Sequence, residues 1–222
     1  MIVAFDLEGT LIDAELFPVL GERLGNKAQL DDITNRAMNG EIDFTSSLHQ
    51  RVGLIKGLSI SEAQRIAGSL SLSRGAEETV SGVKRLGGIP IIITGGFDIL
   101  AKRAAYLLGI EYVCCNKFNI EEGIITGIDQ PIITGKGKAE KFLGLASWLG
   151  ISPEHCVSVG DGANDIEMMR ATGLSIAYNG RPRVREIAKV SVEGGDLRRI
   201  LPIIEEFAST RLERGYLVNQ IL

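Results

Sequence analysis

Three cysteines in 222 residues are too few, and too irregularly spaced, for a disulfide framework. Cys114 and Cys115 are adjacent and Cys156 opens an apolar run. All three are expected to pack as small hydrophobes in a reduced, cytoplasmic compartment. The chain has no stretch of about 18 apolar residues to span a membrane. It lacks a basic segment ahead of its first apolar residues, and Asp6 interrupts those residues early, which argues against a secretory leader. Excess positive charge is missing too. Against 28 Asp and Glu stand 24 Lys and Arg, a formal net charge of −4, so a nucleic-acid partner held by net charge is not expected. Repeats and low-complexity segments are absent. What is there is an ordinary globular composition, 45% hydrophobic and 23% charged. The length suits one large domain, or a core carrying a smaller insert.

Short apolar runs alternate with amphipathic segments. "IVAF" (2–5), "IPIIIT" (89–94), "EYVCCN" (111–116), "CVSVG" (156–160) and "LSIAY" (174–178) have the length and composition of buried strands. Helical patterns fall between them at 77–88, 98–109, 138–150 and 166–173, with Gly87, Gly109, Gly150 and Gly173 where helix C-caps are expected. Strand alternating with helix predicts a parallel sheet covered on both faces. The stretch 117–128 breaks the rhythm with a predicted hairpin about an acidic-Gly turn. Residues 14–74 break it further. They hold four helical segments, one of them starting near Ser61-Glu62, and no convincing strand. The expected organisation is therefore a core of residues 1–13 and 75–222, with residues 14–74 inserted as a small helical cap.

Acids gather where strands end. In "DLEGT", Asp6 and Glu8 sit two residues apart, so on an extended chain both project to one side. In "GDGAND", Asp161 directly follows a predicted strand and Asp165 opens a helix. A parallel sheet brings such strand ends to one edge, where ligands of open α/β folds bind. Oxygen-only donors from Asp6 and Asp161 suit Mg²⁺, which keeps waters and tends to meet a phosphate. Asp165 alone reads equally as a helix cap. "TGGFD" carries Thr94 and Gly95 into a helix start, where free N–H groups favour phosphate. "GKGK" places Lys138 near another helix start, against the macrodipole, unless an anion lies nearby. Lys136 competes with it, and a solvated surface lysine is the plain alternative.

In order and spacing, "DLEGT", Thr94, Lys138 and "GDGAND" resemble the four motifs of the haloacid dehalogenase superfamily. The resemblance covers nearly the whole chain and implies a Rossmann-like, doubly wound parallel sheet. It also implies Asp6 as a nucleophile forming an aspartyl-phosphate. Mg²⁺ would be held by Asp6, the Glu8 carbonyl and Asp161, with Asp165 ordering the metal site. Thr94, Gly95, Lys138 and Asn164 would bind the phosphate. The family usually has Asp where this chain has Glu8, and one extra methylene moves the acid that protonates the leaving group.

Within the superfamily, the insert resembles that of the phosphoserine phosphatase family. Glu15 falls at the place of its ammonium-binding glutamate, and Met38, Phe44 and Arg51 match its recognition segment. Phe44, Leu48, Arg51 and Ile55 also share one helical face, so Arg51 either snorkels or faces a pocket. An arginine fork holds a carboxylate and Glu15 suits an amine. The implied partner is a small phospho-amino acid, with no nucleic acid and no membrane, for a monomer or homodimer. Because of Glu8, two other outcomes stand beside hydrolysis: phosphoryl transfer to an alcohol such as homoserine, and a phospho-amino-acid sensor with little turnover.

Overall fold

The computed structural model describes residues 1–219, with side chains described as far as Thr210. Alternating apolar side chains explain the central strand. In β1 (Ile2–Phe5), Val3 and Phe5 pack into one hydrophobic cluster, and Ile2 and Ala4 into another on the opposite face. Both faces are buried, as a parallel sheet requires. Four helices follow at once: α1 (Leu16–Leu24), α2 (Lys27–Met38), α3 (Phe44–Ile55) and α4 (Ile60–Ser69). The chain then enters α5 (Ala76–Arg85), β2 (Ile89–Phe97), α6 (Asp98–Leu108) and β3 (Tyr112–Asn116). The hairpin β4 (Phe118–Glu121) and β5 (Ile124–Ile128) precedes α7 (Gly135–Trp148) and β6 (Val157–Gly160). Last come α8 (Ile166–Ala171), β7 (Leu174–Tyr178), α9 (Pro182–Ile187), β8 (Val190–Val192) and α10 (Leu201–Asn219).

The main sheet has the order β3-β2-β1-β6-β7-β8, and every pairing in it is parallel. This is the expected Rossmann-like α/β sheet, extended by β8. Val190–Val192 is too short to stand out as an apolar run. The chain winds outward from β1 through β2 to β3 and returns on the other side at β6. The topological switch point therefore lies between β1 and β6, at their carboxyl ends.

Some local expectations need correction. Ser59, not Ser61, caps α4, accepting from the Glu62 N–H at 3.3 Å. Gly173 is not a left-handed helix cap: α8 ends at Ala171 with extended Thr172 as its C-cap, and a Cβ at Gly173 would overlap the Glu154 carbonyl. It is small for a close approach. Gly87, Gly109 and Gly150 do take positive φ. The tail 211–222 continues α10 to Asn219, and residues 220–222 lie outside the described residues.

The hairpin ties the helical insertion to the sheet. Ile125 N–H donates to Leu58 O and Gly57 N–H to Ile125 O, while Ile60 N–H donates to Gly123 O. These bonds grip the turn between α3 and α4. The other hold is hydrophobic: Leu16, Leu20, Leu48, Val52 and Ile55 of the insertion join the cluster containing Val3 and Phe5.

Candidate active site

Strand adjacency builds the acidic centre. Phe5 pairs with Val159 across β1 and β6, and the Asp6 N–H donates to Val159 O at 2.9 Å. Asp6 and Asp161 therefore leave neighbouring strands at the same edge. Carboxylate oxygens of Asp6, Asp161 and Asp165 all come within 4.8 Å of one another, and all three residues are buried. Gly9, at φ 78°, keeps the backbone close to this cluster: a Cβ there would stand 2.6 Å from Asp161 Oδ2.

Lys138 lies behind Asp6, not on a surface. The helix begins at Gly135, with the Thr134 hydroxyl accepting from the Gly137 N–H. That start turns Lys138 inward, fully buried, with ion pairs to Asp6 and, at 2.6 Å, to Asp165. Burial works to lower the Lys138 pKa, but Asp165 and Asp6 together raise it, so the ammonium stays charged. The rival Lys136 is exposed and faces Glu140. Asp165 uses its other oxygen to accept from the backbone N–H groups of Asp161 and Gly162, both at 3.1 Å. It thus braces the loop and Lys138 at once.

Burial dominates the remaining titrations. It pushes Asp6 up to about 7, against the pull of Lys138. It raises Asp161 well above the carboxylate range, helped by Asp6 and Asp165. Asp161 Oδ1 is buried with no hydrogen-bond partner. Crowded, oxygen-only donors with an orphaned oxygen are the environment a hard divalent cation satisfies. The residues fit such an ion.

Glu8 reaches further than an aspartate would. Its Oε2 accepts from the Leu16 N–H, the first residue of α1, at 2.7 Å. Its Oε1 lies against Gly96, where any Cβ would collide with it. The extra methylene thus lets one carboxyl cap the insertion's first helix while facing the end of β2. Burial raises the Glu8 pKa, and burial together with Glu8 raises Glu15 well above its usual range.

A narrow cavity separates the sheet edge from the insertion. Asp6, Glu8, Thr94, Gly95 and Asn164 line one side; Glu15, Met38, Phe44 and Arg51 line the other. Lys138, Asp161 and Asp165 do not line it. Asp161 instead faces an adjoining open groove that also reaches Gly9, Glu15 and Arg181. The Thr94 hydroxyl accepts from Gly96 N–H at 2.9 Å, which leaves its own proton to donate. Met38 lies over Gly162, with its Sδ 3.0 Å from where a Cβ would stand.

Arg51 is 6% exposed and, among the described residues, has no carboxylate within ion-pair distance. Its guanidinium lies 4.8 Å from the Phe17 ring centroid and 5.9 Å from that of Phe44. Weak 3.4 Å contacts to Ser47 are its only hydrogen bonds among the described residues. The snorkelling alternative does not hold.

Sequence reasoning missed Asn116, which is 3% exposed at the end of β3. Its Nδ2 donates to Gly95 O at 2.8 Å, and its Oδ1 accepts from Ile133 N–H at 2.7 Å. One amide thus joins the Thr94-Gly95 part of β2 to the loop leading into Lys138. An Asn closing an apolar strand was the available signal.

A buried acid and lysine thus lie beneath a narrow cavity at the switch point of a parallel sheet, where open α/β folds bind their ligands. The chain belongs to the haloacid dehalogenase-like hydrolases, a family that matches residues 1–173. Hydrolases of this family use a divalent metal, which the Asp6–Asp161–Asp165 cluster can hold. A phosphoserine phosphatase of Albidiferax ferrireducens is 39% identical over 211 residues, covering 92% of this chain and 89% of that relative. One of Methanocaldococcus jannaschii is 34% identical, covering 92% and 97%. A solved phospho-aspartyl intermediate analogue of phosphoserine phosphatase superposes with a TM-score of 0.89 at 34% identity, covering 91% of this chain and 98% of that one. A substrate-bound phosphoserine phosphatase complex superposes at 0.88, with 33% identity.

Proposed function

We propose that the chain is a Mg²⁺-dependent phosphoserine phosphatase, hydrolysing O-phospho-L-serine to L-serine and phosphate, with residues 14–74 as its cap. The observation that carries this reading is the unpaired guanidinium of Arg51. It is buried in the same cavity wall as Glu15, facing Asp6 across a narrow gap. A substrate with phosphate, carboxylate and ammonium gives each of these groups a partner.

A divalent cation held by Asp6, the Glu8 carbonyl and Asp161, with Asp165 bracing that loop, would supply positive charge against the phosphoryl oxygens. An Asp6 oxygen attacks phosphorus and the bond to the serine oxygen breaks, leaving an aspartyl-phosphate. Glu8 in its acid form, which burial favours, gives its proton to the departing serine oxygen. Glu8 then takes a proton from water, whose oxygen attacks phosphorus and releases phosphate and the free Asp6 carboxylate. Thr94, the Gly95 N–H and Asn164 orient the phosphoryl group. Lys138, fixed by Asp165, offsets the negative charge of nucleophile and phosphate together. Phe44 and Met38 exclude bulk water. Glu8 is held by Leu16 N–H on a chain segment of its own, which supports a site shaped around Glu and not a disabled one.

Incubation with L-phosphoserine and Mg²⁺, with and without homoserine, tests the reading. Phosphate release indifferent to homoserine and abolished by Asp6→Asn is expected. Phosphohomoserine as the product would make the chain a transferase, and saturable binding without either product a sensor.

A further inference from the structure

The cavity wall contributed by the insertion is apolar except at three places. Two are Glu15 and Arg51. The third is Thr34, on α2 one helical turn before Met38. Thr34 is 3% exposed, and its hydroxyl has no hydrogen-bond partner among the described residues. A threonine inside a helix ordinarily bonds the carbonyl one turn back when its hydroxyl is buried. This one does not. A buried hydroxyl left unpaired disfavours the free protein, and such groups call for a partner outside the chain. It lines the same cavity as Glu15 and Arg51, the two residues assigned above to the amino-acid end of the substrate.

We infer that Thr34 is a substrate-binding residue whose hydroxyl hydrogen-bonds the ammonium or carboxylate of the bound phospho-amino acid. The inference rests on the phosphoserine reading and deepens it. A hydroxyl offers one donor and two acceptor sites. It can therefore take the ammonium proton that Glu15 leaves over, or donate to a carboxylate lone pair that Arg51 leaves over. Either bond involves a charged partner, which is stronger than a neutral one.

Thr34→Val keeps the side-chain shape and removes the hydroxyl, while Thr34→Ser keeps the hydroxyl. The specificity ratio, kcat/KM for L-phosphoserine over that for p-nitrophenyl phosphate, should fall about tenfold in T34V, through KM. T34S should stay within about twofold of wild type, as expected if the hydroxyl and not the shape matters. The melting temperature of ligand-free T34V should equal or exceed wild type, since an unpaired polar group is gone. An unchanged ratio in T34V, or a T34S as impaired as T34V, overturns the assignment. Phosphoethanolamine and 3-phosphooxypropionate lack the carboxylate and the ammonium respectively. The T34V penalty should vanish on one of them; a penalty that persists on both places the hydroxyl elsewhere and also overturns it. Wild-type protein that releases no phosphate from phosphoserine removes the phosphoserine reading and this inference together. Active wild type with an unmoved T34V removes only the role of Thr34.

Discussion

The Phe44 ring of α3 rests directly on Gly95 at the end of β2: a Cβ added at Gly95 would overlap the ring, with Cε1 and Cε2 at 3.2 Å. Core and insertion therefore meet at a glycine. Gly95→Ala needs no unusual φ, so its effect is steric, displacing Phe44 at a cost of about 1–3 kcal/mol. The expected outcome is a lower melting temperature and a raised KM for phosphoserine. If both stay at wild-type values, the ring is not seated there in solution.

Lys138 is the single cation for two buried acids. Lys138→Met would leave Asp6 and Asp165 without it, a loss of about 3–5 kcal/mol by analogy with other broken buried pairs. Turnover should drop at least about a hundredfold. Adding Asp6→Asn to the Met variant should recover part of the stability and none of the activity. Denaturant melts of the single and double variants read this directly; a double variant no more stable than the single one would contradict the charge argument.

Arg51→Ala should reduce kcat/KM for phosphoserine by about a hundredfold relative to an aryl phosphate, since a buried fork would lose its carboxylate. Arg51→Lys should rescue little, because a point charge cannot hold both oxygens. Equal losses on the two substrates would remove the carboxylate clamp.

Metal and pH should act on stability together. Below about pH 4 the carboxyls are protonated in both folded and unfolded chains. As pH rises, the unfolded carboxyls ionise first, while burial holds Asp6 protonated to about 7 and raises Asp161 and Glu15 well above their ordinary values. The folded state then binds more protons, so metal-free stability falls across that interval. Glu62 and Asp196 give the opposite slope, because side-chain hydrogen bonds from Arg65 and Arg198 draw them down to about 2. They lie partly exposed at the surface and act only below about pH 4. A divalent cation takes the ionised form, so the rise in melting temperature on adding Mg²⁺ should be larger at about pH 8 than at about pH 5. An increment independent of pH would argue that the ion binds elsewhere.

Local pattern determined much of this protein. Period-two and continuous apolar runs set β1, β2, β3, β6 and β7, and the helical periodicities between them set a parallel α/β sheet, because these signals depend only on neighbours in the chain. The acids after β1 and β6, the threonine near the end of β2 and the lysine of α7 were visible in the same way. Their meeting at one sheet edge was an expectation that local pattern alone does not establish. Strand order puts β6 beside β1 and so brings Asp161 to Asp6. Tertiary packing alone turned Lys138 inward, stacked Arg51 on Phe17, lodged Glu8 at the start of α1 and stretched Asn116 between two loops. It also left the Thr34 hydroxyl without a partner. A side chain's partners come from distant segments, and periodicity says which face is buried but not what is buried against it.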